Sequence, residues 1–132
     1  MAGVIPNEGE VEFLTRALKY EGSKLKLFTN NFTPSGTTTV GSAIECSTGG
    51  YSGASLSTSW TISTLAGGTS QAAFAEQTFT FTSGCTAYGY LVTNSAASVV
   101  IVAEAFTDGP YVIPSGGGTI KVTPIIDGKS LN

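Results

Sequence analysis

The sequence predicts an all-β protein: an antiparallel β-sandwich, jelly-roll-like, with one short N-terminal helix. Three observations lead there. Turn signals recur every 8–12 residues or so, with no helical crossover between them. Runs such as Lys24-Leu25-Lys26-Leu27 and Phe79-Thr80-Phe81-Thr82 alternate with period two. Hydrophobic residues make up 41% and charged residues 11%, with 17 glycines, which suits short strands joined by tight turns. At 132 residues the chain is one domain, since domains commonly run to about 100–200 residues. It divides into an N-terminal helical segment, 1–22, and a sandwich, 23–132.

The helix comes first. Asn7 is a good N-cap residue, and Glu10 stands where a capping-box carboxylate would reach back to it. Val11, Leu14 and Leu18 recur at i, i+3, i+7 and form an apolar stripe. Acidic residues precede Arg16 and Lys19, as the helix dipole favours, and Gly22 is a stop. The helix therefore covers residues 8–20. Its stripe either closes one end of a sheet or docks on a partner, which makes Val4, Ile5, Val11, Phe13, Leu14 and Leu18 candidate interface residues.

After Gly22 the period changes to two. Strands are expected at 24–29, weakly at 41–46, at 59–62, 73–82, 86–93, 99–106, 111–113 and 119–124, about eight in all. Segments 33–36, 47–53, 65–70, 94–98, 108–110 and 114–118 read as turns or loops on their Gly, Pro, Asn and Asp content. Val99 to Phe106 is apolar enough to be buried on both faces. Trp60, Phe79 and Phe81 are expected in the core. Tyr51, Tyr88, Tyr90 and Tyr111 are candidate exposed aromatics for a sugar- or protein-binding platform; packing on the sheet's inner face is the equal alternative for Tyr88 and Tyr90, which alternate in a strand.

Charge placement excludes some partners. The net charge is −3. Arg16, Lys19, Lys24 and Lys26 all lie at or before position 26, and the next basic residue is Lys121. Nucleic-acid binding requires cations to neutralise phosphates, so no nucleic-acid partner is expected. An anionic membrane surface is disfavoured for the same reason. The N-terminus has neither the basic nor the apolar region of a secretory signal, so synthesis and folding in a cytoplasm are expected. In a reducing compartment Cys46 and Cys85 are expected as two buried free thiols. A bridge between them is the alternative, if their Cα atoms lie within about 7 Å. Asn31-Phe32-Thr33 matches a glycosylation sequon, which without a secretory route is a chance match.

Catalytic chemistry finds little purchase. The chain has no histidine, so neither cysteine nor any serine has the usual base. Glu104 and Asp108 flank Phe106 and are the nearest approach to paired glycosidase carboxylates. A strand-end carboxylate and a turn aspartate are the simpler reading. Zinc-type Cys/His clusters and calcium-loop acids are both missing from the sequence, and the glycine runs lack the Lys-Ser/Thr of a phosphate loop. No catalytic, cofactor-binding or metal-binding residue is assigned, and no cofactor is expected.

Several phrases resemble small proteins encoded by tailed bacteriophages: Val4-Ile5-Pro6-Asn7-Glu8-Gly9-Glu10, Leu25 to Pro34, Tyr88-Gly89-Tyr90, Ala103-Glu104-Ala105-Phe106 and Ile120-Lys121-Val122-Thr123-Pro124. The resemblance spans most of the chain. It implies a non-enzymatic virion protein, a capsid cement or decoration protein on the shell surface. The implied partners are the major capsid protein and copies of itself, most simply a homotrimer. A tail-associated or receptor- and glycan-binding adhesion module is the alternative. The resemblance carries no catalytic residues.

Overall fold

The computed structural model describes residues 3–56 and 58–127. The helix opens at Asn7, and α1 runs Asn7–Thr15. It continues as a π-helical turn, Arg16–Tyr20, in which the Glu21 N–H donates to the Arg16 carbonyl at 3.3 Å. Gly22 then ends it at φ +76°, the left-handed region where glycine carries no steric cost. Pro6, rather than Asn7, is the N-cap, and no side chain caps the helix. Asn7 lies inside the first turn because proline at the cap, with φ −70° and ψ 162°, already sets the entry angle.

Beyond the helix the described residues form β-strands and loops, and all the strand pairings among them are antiparallel. The strands are β1 Ser23–Phe28, β2 Ala54–Leu56, β3 Thr61–Thr64, β4 Ser70–Ala73, β5 Gln77–Phe81, β6 Cys85–Ala87, β7 Gly89–Asn94, β8 Val100–Ala105, β9 Tyr111–Ile113, β10 Gly118–Val122 and β11 Ile125–Asp127. Among the described residues they form four sheets, ordered β2-β1-β7-β8, β11-β4-β3, β10-β5 and β6-β9. This is the all-β, antiparallel, sandwich-like architecture with one N-terminal helix that the sequence predicts.

Alternation decides which face is buried. In β1, Leu25 and Leu27 are fully buried while Lys24 and Lys26 face outward. In β5 and β10, Phe79 pairs with Ile120, and both point into the core. Strand β7 lies between β1 and β8 and is buried on both faces from Gly89 to Thr93. Gly89 has no room for a side chain: an added Cβ would overlap the Glu104 carbonyl and the Phe28 ring. β8 is only half-buried and forms the sheet edge, contrary to the expectation of burial on both faces. Its adjacent Ile101 and Val102 are both half-buried against the core, and a bulge at Val92/Thr93 shifts its register.

Three other expectations are corrected. Segment 41–46 is not a strand: Val40–Ser42 is a 3-10 turn, and only Glu45 bridges to Phe28. The stretch 73–82 splits into β4 and β5 around Phe74–Glu76, and 86–93 splits into β6 and β7 around Tyr88. The strand read as ending at Pro124 does end there, and β11, just beyond it, pairs with β4.

The core joins helix and sheets. Leu14 and Leu18 of the helical segment pack with Leu25, Leu27, Leu56, Trp60, Phe79, Phe81, Val92 and Ile126. The helix lies on β3 and β4. Trp60 packs edge-on against Phe74, and its Nε1–H donates to Ser23 Oγ at 3.2 Å. A buried indole N–H needs such a partner.

Candidate functional site

The residues singled out from sequence separate into core and surface. Leu14 and Leu18 are 6% and 0% exposed and belong to the core. They are not available to a partner, because the helix spends its apolar stripe on the sheet beneath it. Ile5 and Val11 are half-buried. Val4 and Phe13 are exposed, Phe13 by 55%. Tyr20, which the sequence reading passed over, is 69% exposed. Phe13, Arg16 and Tyr20 follow i, i+3, i+7 on the outer side of the helical segment. The Arg16 guanidinium sits over the Tyr20 ring at 5.6 Å, and Arg16 Nε bonds Glu12 Oε1 at 2.6 Å. The helix thus has an inner apolar face that belongs to the fold and an outer aromatic face that does not.

The tyrosines are not an exposed platform. Tyr90 is 5% exposed, which corrects its assignment as a surface residue. Tyr51, Tyr88 and Tyr111 are half-buried. Tyr51 lies stacked against Phe79 and Phe81, with ring centroids 5.8 and 5.9 Å away. Its hydroxyl accepts the Leu27 N–H at 3.1 Å and donates to Glu45 Oε2 at 2.9 Å. Lys26 Nζ bonds the other oxygen of Glu45 at 3.0 Å. β2 pairs with β1 only as far as Leu25, so Tyr51 supplies the acceptor that a strand would otherwise give to Leu27. Burial is the main cause pushing the Tyr51 pKa upward, and the Glu45 carboxylate adds to it. No sequence signal marks this cluster, because Lys26, Glu45 and Tyr51 are brought together by a loop.

Glu104 and Asp108, noted from sequence as a carboxylate pair, do line one groove of about 460 Å³. Tyr90, Phe106, Tyr111 and Lys121 line it too. Each carboxylate is engaged by a phenol. Tyr90 donates to Glu104 Oε2 at 2.8 Å, and Tyr111 donates to Asp108 Oδ1. Both tyrosine pKa values are raised, that of Tyr90 first by burial and that of Tyr111 first by its bond to Asp108. Phe106 packs between them, with its ring centroid 6.3 Å from Tyr90 and 4.7 Å from Tyr111.

Cys46 and Cys85 are buried free thiols, and their sulfurs lie 2.7 Å apart. Cys85 lines a second cavity, of about 480 Å³, with Glu45, Thr48 and Ile113 among the other lining residues. Among the described residues no group of three or more His, Cys, Asp or Glu is placed to hold a metal ion. No helix among them is long and apolar enough to cross a membrane.

Comparison with known proteins adds no relative: no family model matches the chain, no curated protein matches its sequence and no solved structure matches its fold.

Proposed function

We propose that the chain is a non-enzymatic structural protein of a tailed-phage virion, a cement or decoration protein that binds the assembled shell as a homo-oligomer, most simply a trimer. The observation that carries this reading is the two-faced helical segment. Its inner residues Leu14 and Leu18 lock it to the sandwich, while Phe13 and Tyr20 stand outward on a rigid support. Exposed aromatics held on a fixed element are good anchors, because little side-chain freedom is lost when they are covered. The low charge of the chain adds to this, since little self-repulsion opposes packing against like copies or a shell. The resemblance of its sequence phrases to small phage proteins supports the shell as the partner, with the major capsid protein as the subunit contacted.

The test is light scattering on the purified chain, followed by sedimentation with empty phage shells. A defined oligomer that sediments with shells at fixed stoichiometry is the expected result. A monomer that stays in the supernatant overturns the reading.

One observation favours a second reading, an adhesion module of the tail that binds glycans. The groove beside Phe106 and Tyr111 offers aromatic surface next to the Glu104 and Asp108 carboxylates, the mixture that sugar recognition uses. Binding of the chain to host-surface glycans, lost on replacing Phe106, would shift the assignment from shell to tail.

A further inference from the structure

We propose that Cys46 and Cys85 are a site of covalent modification: the folded chain closes an intrachain disulfide between them when it meets a small-molecule disulfide such as oxidised glutathione. The inference is independent of what the chain docks on.

The geometry brings two sulfurs from separate elements into contact. Cys46 is held to β1, where its N–H donates to the Leu27 carbonyl at 3.0 Å. Cys85 opens β6 and pairs in register with Ile113 of β9. Their sulfurs meet at 2.7 Å across 39 residues of sequence. Thr48 Oγ1, 3.5 Å from the Cys46 sulfur, is the neighbouring hydroxyl. Disulfide formation requires two cysteines whose side chains already converge, and here the loop carrying Cys46 against β1 and the β6-β9 pairing that holds Cys85 impose that convergence. The closed loop would contain β2 to β5, so the bond would tie the β1 edge to the small β6-β9 sheet.

The two thiols differ in access, and this sets the order of steps. Cys85 lines the 480 Å³ cavity and Cys46 does not. Cys85 therefore reacts first. Its thiol loses a proton to solvent, and the thiolate attacks one sulfur of glutathione disulfide. The glutathione S–S bond breaks, a Cys85–glutathione bond forms, and one glutathione thiolate leaves and takes up a proton. Cys46 then loses its proton and attacks the Cys85 sulfur. The Cys46–Cys85 bond forms and the second glutathione leaves as thiol. In total two protein thiols are oxidised and one glutathione disulfide is reduced to two thiols. Burial and the hydrogen bond with Cys46 push the Cys85 thiol up to about 11, so the first step is slow at neutral pH. The groups facing the pair are Glu45 in the same cavity, Thr48, and Tyr51 beside Cys46.

The test uses the full chain, reduced, freed of reductant, then incubated with oxidised glutathione under native conditions. Intact mass spectrometry is expected to show the loss of two hydrogens without a lasting glutathione adduct. Non-reducing digestion should then yield one peptide pair joined through Cys46 and Cys85, and the oxidised chain should melt at a higher temperature than the reduced one. Cys46→Ser, which removes the second attack, should accumulate the adduct on Cys85. The proposal is overturned if both thiols of the wild-type chain remain titratable after incubation, if the adduct on wild-type Cys85 persists, or if the product is a cross-linked dimer. The wild-type result decides even if the variant does not fold.

Discussion

Replacing Tyr51 by Phe removes one oxygen and leaves the ring stacked between its aromatic neighbours. The hydroxyl accepts from the N–H of Leu27, a buried residue of β1. Without it that N–H has no strand partner on its side, since β2 pairs only to Leu25 and the loop beyond pairs through the Leu27 carbonyl and Phe28. A buried donor left unpaired costs about 1–3 kcal/mol. The lost bond to Glu45 adds less, because that carboxylate keeps Lys26 and is partly open to water. The expected destabilisation is therefore about 2–3 kcal/mol. At about 2.1 cal/mol/K of unfolding entropy per residue, the melting midpoint falls by about 7–11 °C.

The assay is thermal unfolding of wild type and Tyr51→Phe side by side, with Tyr111→Phe as the control. Tyr111 also gives its hydroxyl to a carboxylate, but on an exposed turn, so its loss should change stability by less than about 0.5 kcal/mol. If Tyr51→Phe shifts the midpoint no further than Tyr111→Phe, the Leu27 N–H is not sealed from water, and the reasoning that makes Tyr51 a substitute strand fails.

Three other outcomes are expected. Gly89→Ala should prevent native folding or destabilise by more than about 4 kcal/mol, because the new methyl meets backbone at the Glu104 carbonyl as well as the Phe28 ring; near-wild-type urea unfolding would refute the packing of β7. In reductant, stability should fall as pH rises. The Cys85 thiol is raised from 9.0 to about 11 and the Tyr51 and Tyr90 phenols lie above their ordinary 10.0, so the unfolded chain gives up these protons first. The stabilisation they provide is complete below pH 9 and is lost from there through about pH 11 and beyond, and a flat urea-midpoint profile from pH 8 to about 11 would contradict this. The double variant Phe13→Ala, Tyr20→Ala should keep its melting midpoint within a few degrees and lose sedimentation with shells.

How much of this was legible in the sequence depended on how far each element speaks for itself. Phe79-Thr80-Phe81 and Leu25-Lys26-Leu27 announce strands because alternation over five or six residues is a local property, and the structure places both as read. The helical segment was legible for the same reason. β2, β4 and β11 were not. Ala54-Ser55-Leu56 and Ile125-Ile126-Asp127 are too short to show a period, and they are strands because β1 and β4 offer them partners. Pro124 marked a strand end by local rules, and β10 does end before it; β11 beyond it was the part not legible. The sites were less legible than the fold. The approach of Cys46 to Cys85, and of Lys26 and Glu45 to Tyr51, depends on a long loop folding back onto β1 through Asn30, Ser42 and Ile44. Glu104 and Asp108 were readable as neighbours, but their engagement by Tyr90 and Tyr111 was not.

The placement of the helix decides which experiment can test docking. Nine α-helical residues followed by a π turn are at most marginal alone in water, where helices shorter than about 12–15 residues are marginal. This segment holds its shape because Leu14 and Leu18 are buried against the sheets. Removing residues 4–20 would strip that cover from the core, and each lost large side chain costs about 2–5 kcal/mol. A truncated chain that fails to bind shells would then report on folding and say nothing of the surface. Phe13 and Tyr20 face the other way. Their truncation leaves Leu14, Leu18 and the Pro6 entry in place, so stability and docking separate cleanly. Loss of shell binding with an unchanged melt would locate the contact on the outer helical face. Full shell binding by the double variant would remove the observation on which the cement reading rests, and the groove at Phe106 and Tyr111 would then be the surface to examine.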